Sequence, residues 1–343
     1  MSTSAPVPAD ASSEQPLVTV VVPTYNRTAY LEIALASAVR QTYTNIEILV
    51  ADDASREDVF GAVISKFAGD PRIKYQRNPS NLGMGMNTWQ ALSRASGKYV
   101  ANLHDDDAWE PEFLASLVPP LERDDSLSVA FCDHHVVDEK GTLDPVAADA
   151  NARMWHRDRL ARGTLRPFVE AAVIWQAVPA AMAAVFRKSA IDWNDFPVEV
   201  GTYYDIWLAY QAARHGAGAF YDPRRLTRYR VHGQSETQSW TSDAGRLKAM
   251  RQAEFVFRRY LDEPEFHDLR GVIEREYVAK VISLATALIG AGDVAEARRL
   301  LSQVEGRVSS REVKAMGLIA RLPPPVFRRI VAAARRVRAL LAS

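Results

Sequence analysis

The sequence is poor in cysteine: one residue, Cys132, in 343. A single thiol excludes an intrachain disulfide and a cysteine-rich zinc site, and it fits a reducing, cytoplasmic compartment. Cys132 ends the apolar run Leu127-Ser-Val-Ala-Phe-Cys132, so it reads as a small core residue rather than a nucleophile. Net charge is missing too, since 42 Lys and Arg balance 42 Asp and Glu. No global field then recruits nucleic acid, which is not an expected partner. No uninterrupted apolar stretch reaches the length needed to span a bilayer. Residues 1–15 are rich in Ala, Ser and Pro and lack the basic start and apolar segment of a secretion signal. They are expected to be a disordered lead.

What is there alternates between strand and helix. Leu17-Val-Thr-Val-Val-Val22 and Asn45-Ile-Glu-Ile-Leu-Val-Ala51 are β-branched runs typical of strands covered on both faces. Helices are expected over 28–40, 57–67, 86–94 and 111–121, with further strands over 72–76, 98–103 and 127–132. Repeated βα units predict a mostly parallel α/β sheet flanked by helices. The second strand ends at Asp52-Asp53. The fourth runs into His104-Asp105-Asp106-Asp107. Ligands in such sheets bind beyond the strand C-termini. Three adjacent carboxylates repel one another unless water screens them or a cation sits there. This elbow is therefore expected to hold a divalent metal and, through it, a nucleotide diphosphate; a solvated acidic turn is the plainer alternative. No glycine occurs in Pro23-Thr-Tyr-Asn-Arg27 after the first strand. A nucleotidyltransferase would be expected to carry a glycine-rich, basic loop there.

Val20-Val-Val-Pro-Thr-Tyr-Asn-Arg27, Glu47-Ile-Leu-Val-Ala-Asp-Asp-Ala-Ser55, Asn81-Leu-Gly83 and Leu103-His-Asp-Asp-Asp-Ala-Trp109, in this order, closely resemble the family 2 glycosyltransferases of GT-A fold. Val185 to Ile191, Tyr204-Asp-Ile-Trp-Leu208 and Tyr229-Arg-Val-His232 agree. The resemblance implies a nucleotide-diphosphate sugar donor, commonly UDP-linked, Mn²⁺ or Mg²⁺, and transfer to an acceptor hydroxyl with inversion. Pro23, Thr24 and Tyr25 would line the nucleotide pocket, and Asp52 would accept from the base. Asp53 is expected to cap a helix or order its loop. His104 stands where the family's first metal-motif aspartate is usual; Asp106 would then take the metal role, with Asp105 facing the ribose and Asp107 as neighbour or second ligand, and the register Asp105-x-Asp107 is the alternative. His104 and His232 are further candidate ligands, and Arg228 and Arg230 could neutralise phosphate.

The base is the weakest transfer. The family's acidic position falls on Tyr203, within Gly201-Thr-Tyr-Tyr-Asp-Ile-Trp207, and an unperturbed tyrosine is a poor base near neutrality. Asp205 is the first candidate and Glu199 the second. A sugar-nucleotide-binding protein that lost its base is the rival reading. Trp155, Trp175 and Trp193 could stack on acceptor sugars or pack in the core. His134 and His135, adjacent on a strand, would point to opposite faces and could not share one ion.

The catalytic domain is expected over 16–240 and a helical extension over 241–322, packed on that domain or on a partner copy. A basic amphipathic helix follows Pro323-Pro-Pro325 within 323–343. Its span 326–341 suits an anionic membrane surface, so a peripheral position at the inner face is one reading and docking on the protein the other. Polysaccharide, lipid-linked glycan, protein and small-molecule acceptors all fit the sequence.

Overall fold

The computed structural model describes residues 15–233 and 242–304. Strands β1 (Val18–Thr24) and β2 (Ile46–Asp52) are buried along their whole length, as apolar runs covered on both faces should be. They pair in parallel, with β3 (Ile73–Arg77) outside β2 and β4 (Tyr99–Asn102) beside β1. Strand β8 (Ala184–Arg187) lies antiparallel between β4 and β6 (Leu127–Val137). Strand β9 (Gly218–Arg230) runs parallel to β6, while the short β5 (Ala108–Trp109) and β7 (Gly163–Leu165) pair antiparallel with β9. Strands β1 to β4, β6 and β9 thus point the same way, which gives the mainly parallel sheet expected of repeated βα units.

Some boundaries differ from the sequence reading. The helix expected over 57–67 breaks at Val63 (φ −127°, ψ −57°) into α2 (Val59–Ala62) and a 3-10 turn, Ile64–Phe67. The strand expected to stop at Cys132 continues to Val137 through irregular pairing around Asp133. His134 and His135 therefore sit within β6. Pro111 precedes α4 (Phe113–Arg123) instead of filling its first turn.

Helices α7 (Asp243–Leu261), α8 (Arg270–Ala291) and α9 (Val294–Val304) follow the sheet. Their Phe257, Tyr260, Ile273 and Leu300 share one buried cluster with Trp207 of α6 (Tyr204–Ala213) and Phe131 of β6. The extension packs on the sheet domain itself. Among the described residues, no helix is long and apolar enough to cross a membrane. The lead 1–14 and the basic helix 326–341 lie outside the described residues.

Two glycines fix the loop that enters α6. Gly201 takes φ +53°, ψ −122°, a backbone region that excludes a Cβ. Gly85, in the first turn of α3 (Met84–Arg94), lets the Gly201 carbonyl approach so closely that an added Cβ would lie 1.8 Å from it.

Glu47 ties the far end of the sheet. It accepts from Lys74 Nζ at 2.6 Å and from the Ser96 backbone N–H at 2.9 Å, and it bonds Thr19 Oγ1. Burial pushes its pKa up, but Lys74, Thr19 and Ser96 outweigh burial and hold it down at about 2. Its contribution is complete above the ordinary glutamate range and is lost as pH falls toward 2. Glu47→Ala is expected to cost about 2 kcal/mol, read by urea denaturation at neutral pH. A change below the error of the transition would contradict this.

Candidate active site

The acidic elbow is assembled from three distant parts of the chain. Parallel pairing carries the C-terminal ends of β1 and β4 to one sheet edge, where the Leu103 N–H bonds the Val21 carbonyl at 2.9 Å. A tight turn follows, closed by Asp107 N–H to His104 O at 3.1 Å. Trp109 clamps the far side: its indole N–H donates to Met182 O at 2.7 Å and its ring stacks on Phe113. Pairing of β5 with β9 then brings Arg230 and His232 back to the elbow from the other end of the domain.

Each carboxylate has its own partners. Thr24 Oγ1 donates to Asp105 Oδ2 at 2.7 Å. Arg27 Nη1 reaches Asp106 Oδ2 at 2.7 Å and Asp105 Oδ1 at 3.4 Å. His232 Nε2 lies 3.0 Å from the same Asp106 oxygen, its ring packed on Tyr30 at 4.8 Å between centroids. The Arg230 backbone N–H donates to Asp107 Oδ1 at 2.9 Å, while its guanidinium donates to Asp106 O at 2.9 Å and lies over the Tyr30 ring. Asp107 Oδ2 is buried with no partner among the described residues.

The charge balance follows from this packing. Burial first, then the Asp106 charge, push Asp105 up to about 7, and the same two causes push Asp107 well above the usual carboxylate range. Burial also pushes Asp106 up, but His104, Arg27 and His232 outweigh it and hold that carboxyl low. Burial drives His104 toward its neutral form. The elbow is therefore short of positive charge even with Arg27 and Arg230 beside it. His104, Asp106 and Asp107 each present a ligand atom, and the three lie within 4.8 Å of one another. A neutral imidazole nitrogen and two carboxylates, one with an orphaned buried oxygen, fit a divalent cation. His232 is hydrogen-bonded to Asp106 and stands outside that trio.

Other expected residues fall in different places. Tyr25 is exposed at the end of β1, beside buried Pro23 and Thr24. Asp52 is fully buried and already accepts from Tyr75 Oη at 2.6 Å, Arg77 Nη1 at 2.9 Å and the Ser55 N–H at 2.9 Å. Asp53 orders the loop before α3, accepting from the Leu82 and Gly83 N–H groups at 2.8 and 2.9 Å. Arg228 Nε donates to Glu110 Oε1 at 2.7 Å.

Asp205 stands in the first turn of α6, where the helix dipole favours an anion, and burial raises its pKa to about 6. Burial and the Asp205 charge push Tyr203 up to about 12. Glu199 is not brought to the elbow: it lines a cavity of about 560 Å³ against Lys248, Arg251 and Arg299 of the helical extension. Trp155 and Tyr203 line a second cavity of about 360 Å³. Trp193 packs on Trp89 with its N–H on Lys188 O, and Trp175 packs on His156. Cys132 is fully buried, and burial pushes its thiol up.

Sequence reasoning missed two members of the site. Arg27 closes the Pro23–Arg27 turn but was given no role. Tyr204 contacts His104 Nε2 through its hydroxyl and accepts from Asn102 Nδ2 at 2.9 Å. Its signal was its place between the expected base position and Asp205.

Residues 19–174 match the family model described as glycosyl transferase family 2. The chain carries a family 2 glycosyltransferase domain. The matched residues run from β1 to the segment after β7 and include His104 to Asp107, while Arg230 and His232 lie beyond them. An uncharacterized glycosyltransferase of Haemophilus influenzae is 29% identical over 221 residues, 64% of this chain and 66% of the relative. A chondroitin synthase of Escherichia coli is 28% identical over 145 residues, 42% of this chain and 21% of the relative. The chain thus spans about two thirds of one relative and about a fifth of the other.

The fold agrees with the family. S. aureus TarS 1-349, solved in complex with UDP-GlcNAc, superposes with a TM-score of 0.56 at 16% identity, covering 93% of this chain and 91% of that one. The mannosyltransferase PcManGT of Pyrobaculum calidifontis, solved with GDP-Man and Mn²⁺, gives 0.57 at 19% identity, with 90% and 85% covered. The glycosyltransferase domain is therefore of GT-A type with added C-terminal helices.

Proposed function

We propose that this glycosyltransferase moves a sugar from a UDP-linked donor to an acceptor hydroxyl with inversion, assisted by Mn²⁺ or Mg²⁺ at the elbow. The observation that carries the reading is the convergence of His104, Asp106 and Asp107, with Asp107 Oδ2 buried and unpaired among the described residues. The UDP-GlcNAc complex of TarS and the Mn²⁺ and GDP-Man in PcManGT support the ligand classes.

In this reading the acceptor oxygen attacks the anomeric carbon from the face opposite the diphosphate. The sugar–phosphate bond breaks as the new glycosidic bond forms, and the diphosphate leaves with the electron pair. When bound, the metal stabilises the charge that grows on that leaving group. Asp106 and Asp107 would hold the ion, with His104 as the third ligand. Arg27 and Arg230 add positive charge around the same point and would bear on the donor phosphates as well, with His232 hydrogen-bonded to Asp106 beside them. Asp105, fixed by Thr24, would face the ribose; Pro23 and Tyr25 would line the nucleotide pocket. Asp205 would take the acceptor proton as the bond forms. Burial raises its pKa only to about 6, so it is still mostly ionised at neutral pH and is a better base than an exposed aspartate.

A panel of nucleotide sugars in a thermal-shift assay, with and without Mn²⁺, tests the reading. Ligand that binds only the folded protein raises its melting temperature. A UDP-sugar is expected to raise it by several degrees only when Mn²⁺ is present. No shift with any nucleotide sugar would reject the proposal.

A further inference from the structure

We propose that the cavity of about 360 Å³ between the sheet domain and the helical extension is the acceptor subsite, and that the acceptor is a saccharide bearing a carboxylate or a phosphate. The inference rests on the reading of the chain as a transferase to an acceptor hydroxyl and goes on to name the class of acceptor.

Its position suits an acceptor. One wall is Tyr203, the residue just before α6. The next two residues are Tyr204, whose hydroxyl contacts His104 of the elbow, and Asp205, the candidate base. The Asp205 charge is felt at the Tyr203 phenol. A second wall is Trp155, at the end of α5 (Pro145–Met154), with Gln176. Helices α7 and α8 complete the lining with Arg246, Phe257 and Lys280. The volume lies within the roughly 300–1,000 Å³ of small-ligand pockets.

The second wall is built from costly backbone. His156 (φ +57°) and Gln176 (φ +50°) take the left-handed conformation without being glycine, each directly after a tryptophan. The chain reaches Gln176 through a π-helical turn, Glu170–Ile174, in which the Trp175 N–H donates to Glu170 O at 3.0 Å. Trp175 packs edge-on against His156 at 5.7 Å between centroids, so the two strained turns hold each other. Packing alone would be served at less cost by glycine at either position. Strained non-glycine residues and π turns both concentrate at functional sites, and here they meet at one cavity.

The chemistry of the lining names the ligand. The Trp155 indole and the Tyr203 ring offer flat faces to the apolar side of a sugar. Only the ring of Tyr203 is used, and Tyr203→Phe retains it. The Gln176 amide and the Ser283 hydroxyl offer donors and acceptors to sugar hydroxyls. Arg246 and Lys280 add two positive charges, and among the described residues no Asp or Glu lines the cavity. Arg246 lies 4.0 Å from Asp243 and Lys280 3.4 Å from Glu276, each pair one turn apart on its own helix. Exposed pairs of this kind are weak and compete poorly with an anion held in the cavity. A neutral sugar would leave both charges unanswered, whereas a carboxylate or phosphate on the acceptor answers them.

Saturation-transfer NMR on the whole chain compares methyl glucuronide and glucose 6-phosphate, the carboxylate and phosphate arms, with methyl glucoside and inorganic phosphate. At least one charged sugar is expected to bind about tenfold or more tightly than either control. In the double variant Arg246→Gln, Lys280→Gln that binding should weaken about tenfold or more. In Trp155→Ala, transfer to the sugar protons should fall to background. UDP with Mn²⁺ should bind the wild type and both variants alike, because none of these residues belongs to the elbow. If Trp155→Ala does not fold by circular dichroism, the double variant carries the test alone. No binding of either charged sugar to the wild type would overturn this inference and leave the proposed function standing. So would equal binding of methyl glucoside or phosphate, or charged-sugar binding that survives in the double variant. Absence of UDP binding to the wild type would instead remove the reading beneath it.

Discussion

Asp106→Ala is expected to lower donor turnover by about a thousandfold, equivalent to about 4 kcal/mol of transition-state stabilisation. Asp106 Oδ2 receives both Arg27 and His232, and the residue is one of the trio that can hold a cation. Its loss removes a ligand and frees two cationic or hydrogen-bonding groups from their alignment. The fold should survive, because the charge of Asp106 is itself a cause of the raised pKa values of Asp105 and Asp107, and deleting it relieves that repulsion. The measurement is kcat at saturating donor and Mn²⁺, with a melting curve alongside. A variant that melts normally and keeps more than a tenth of wild-type turnover would remove Asp106 from the mechanism.

Asp205→Asn should lower kcat by about a hundredfold to ten-thousandfold while changing donor affinity little, since a base acts in the transition state and not on the bound nucleotide. The pH profile adds a sign. Burial raises the Asp205 pKa to about 6, so below that pH the carboxyl carries a proton and cannot accept another. The rate should therefore climb as pH rises through about 6, and this limb should be missing in the variant. Tyr203→Phe is expected to leave both rate and profile nearly unchanged. Its phenol, pushed up to about 12, stays protonated across the working range. A large loss in Tyr203→Phe with a normal Asp205→Asn would reverse the assignment. Full activity lost in neither variant would mean that the acceptor needs little base assistance.

The strands and the elbow were legible because they are local. A β-branched run reads as a buried strand, and acidic residues closing the second and fourth strands predict a shared sheet edge once the βα rhythm makes those strands parallel. The helices of the C-terminal extension were legible for the same reason, as apolar positions at helical spacing. What sequence could not supply was pairing across distance. Only β5 on β9 puts the Arg230 N–H on Asp107, and only the return of α6 puts the Tyr204 hydroxyl under His104. Glu199 shows the limit from the other side: six residues from Asp205 in sequence, it faces another cavity because Gly201 turns the chain between them. Asp52 was read as the acceptor for the nucleotide base, and no local pattern announced that Tyr75 and Arg77 of β3 would also bond it.

Titration calorimetry of Mn²⁺ into the protein in the presence of UDP bears most directly on the electrostatic account of the elbow. One ion per chain should bind to the wild type and none measurably to Asp106→Ala. Equal heats for the two proteins, or no binding of Mn²⁺ or Mg²⁺ to the wild type, would contradict it.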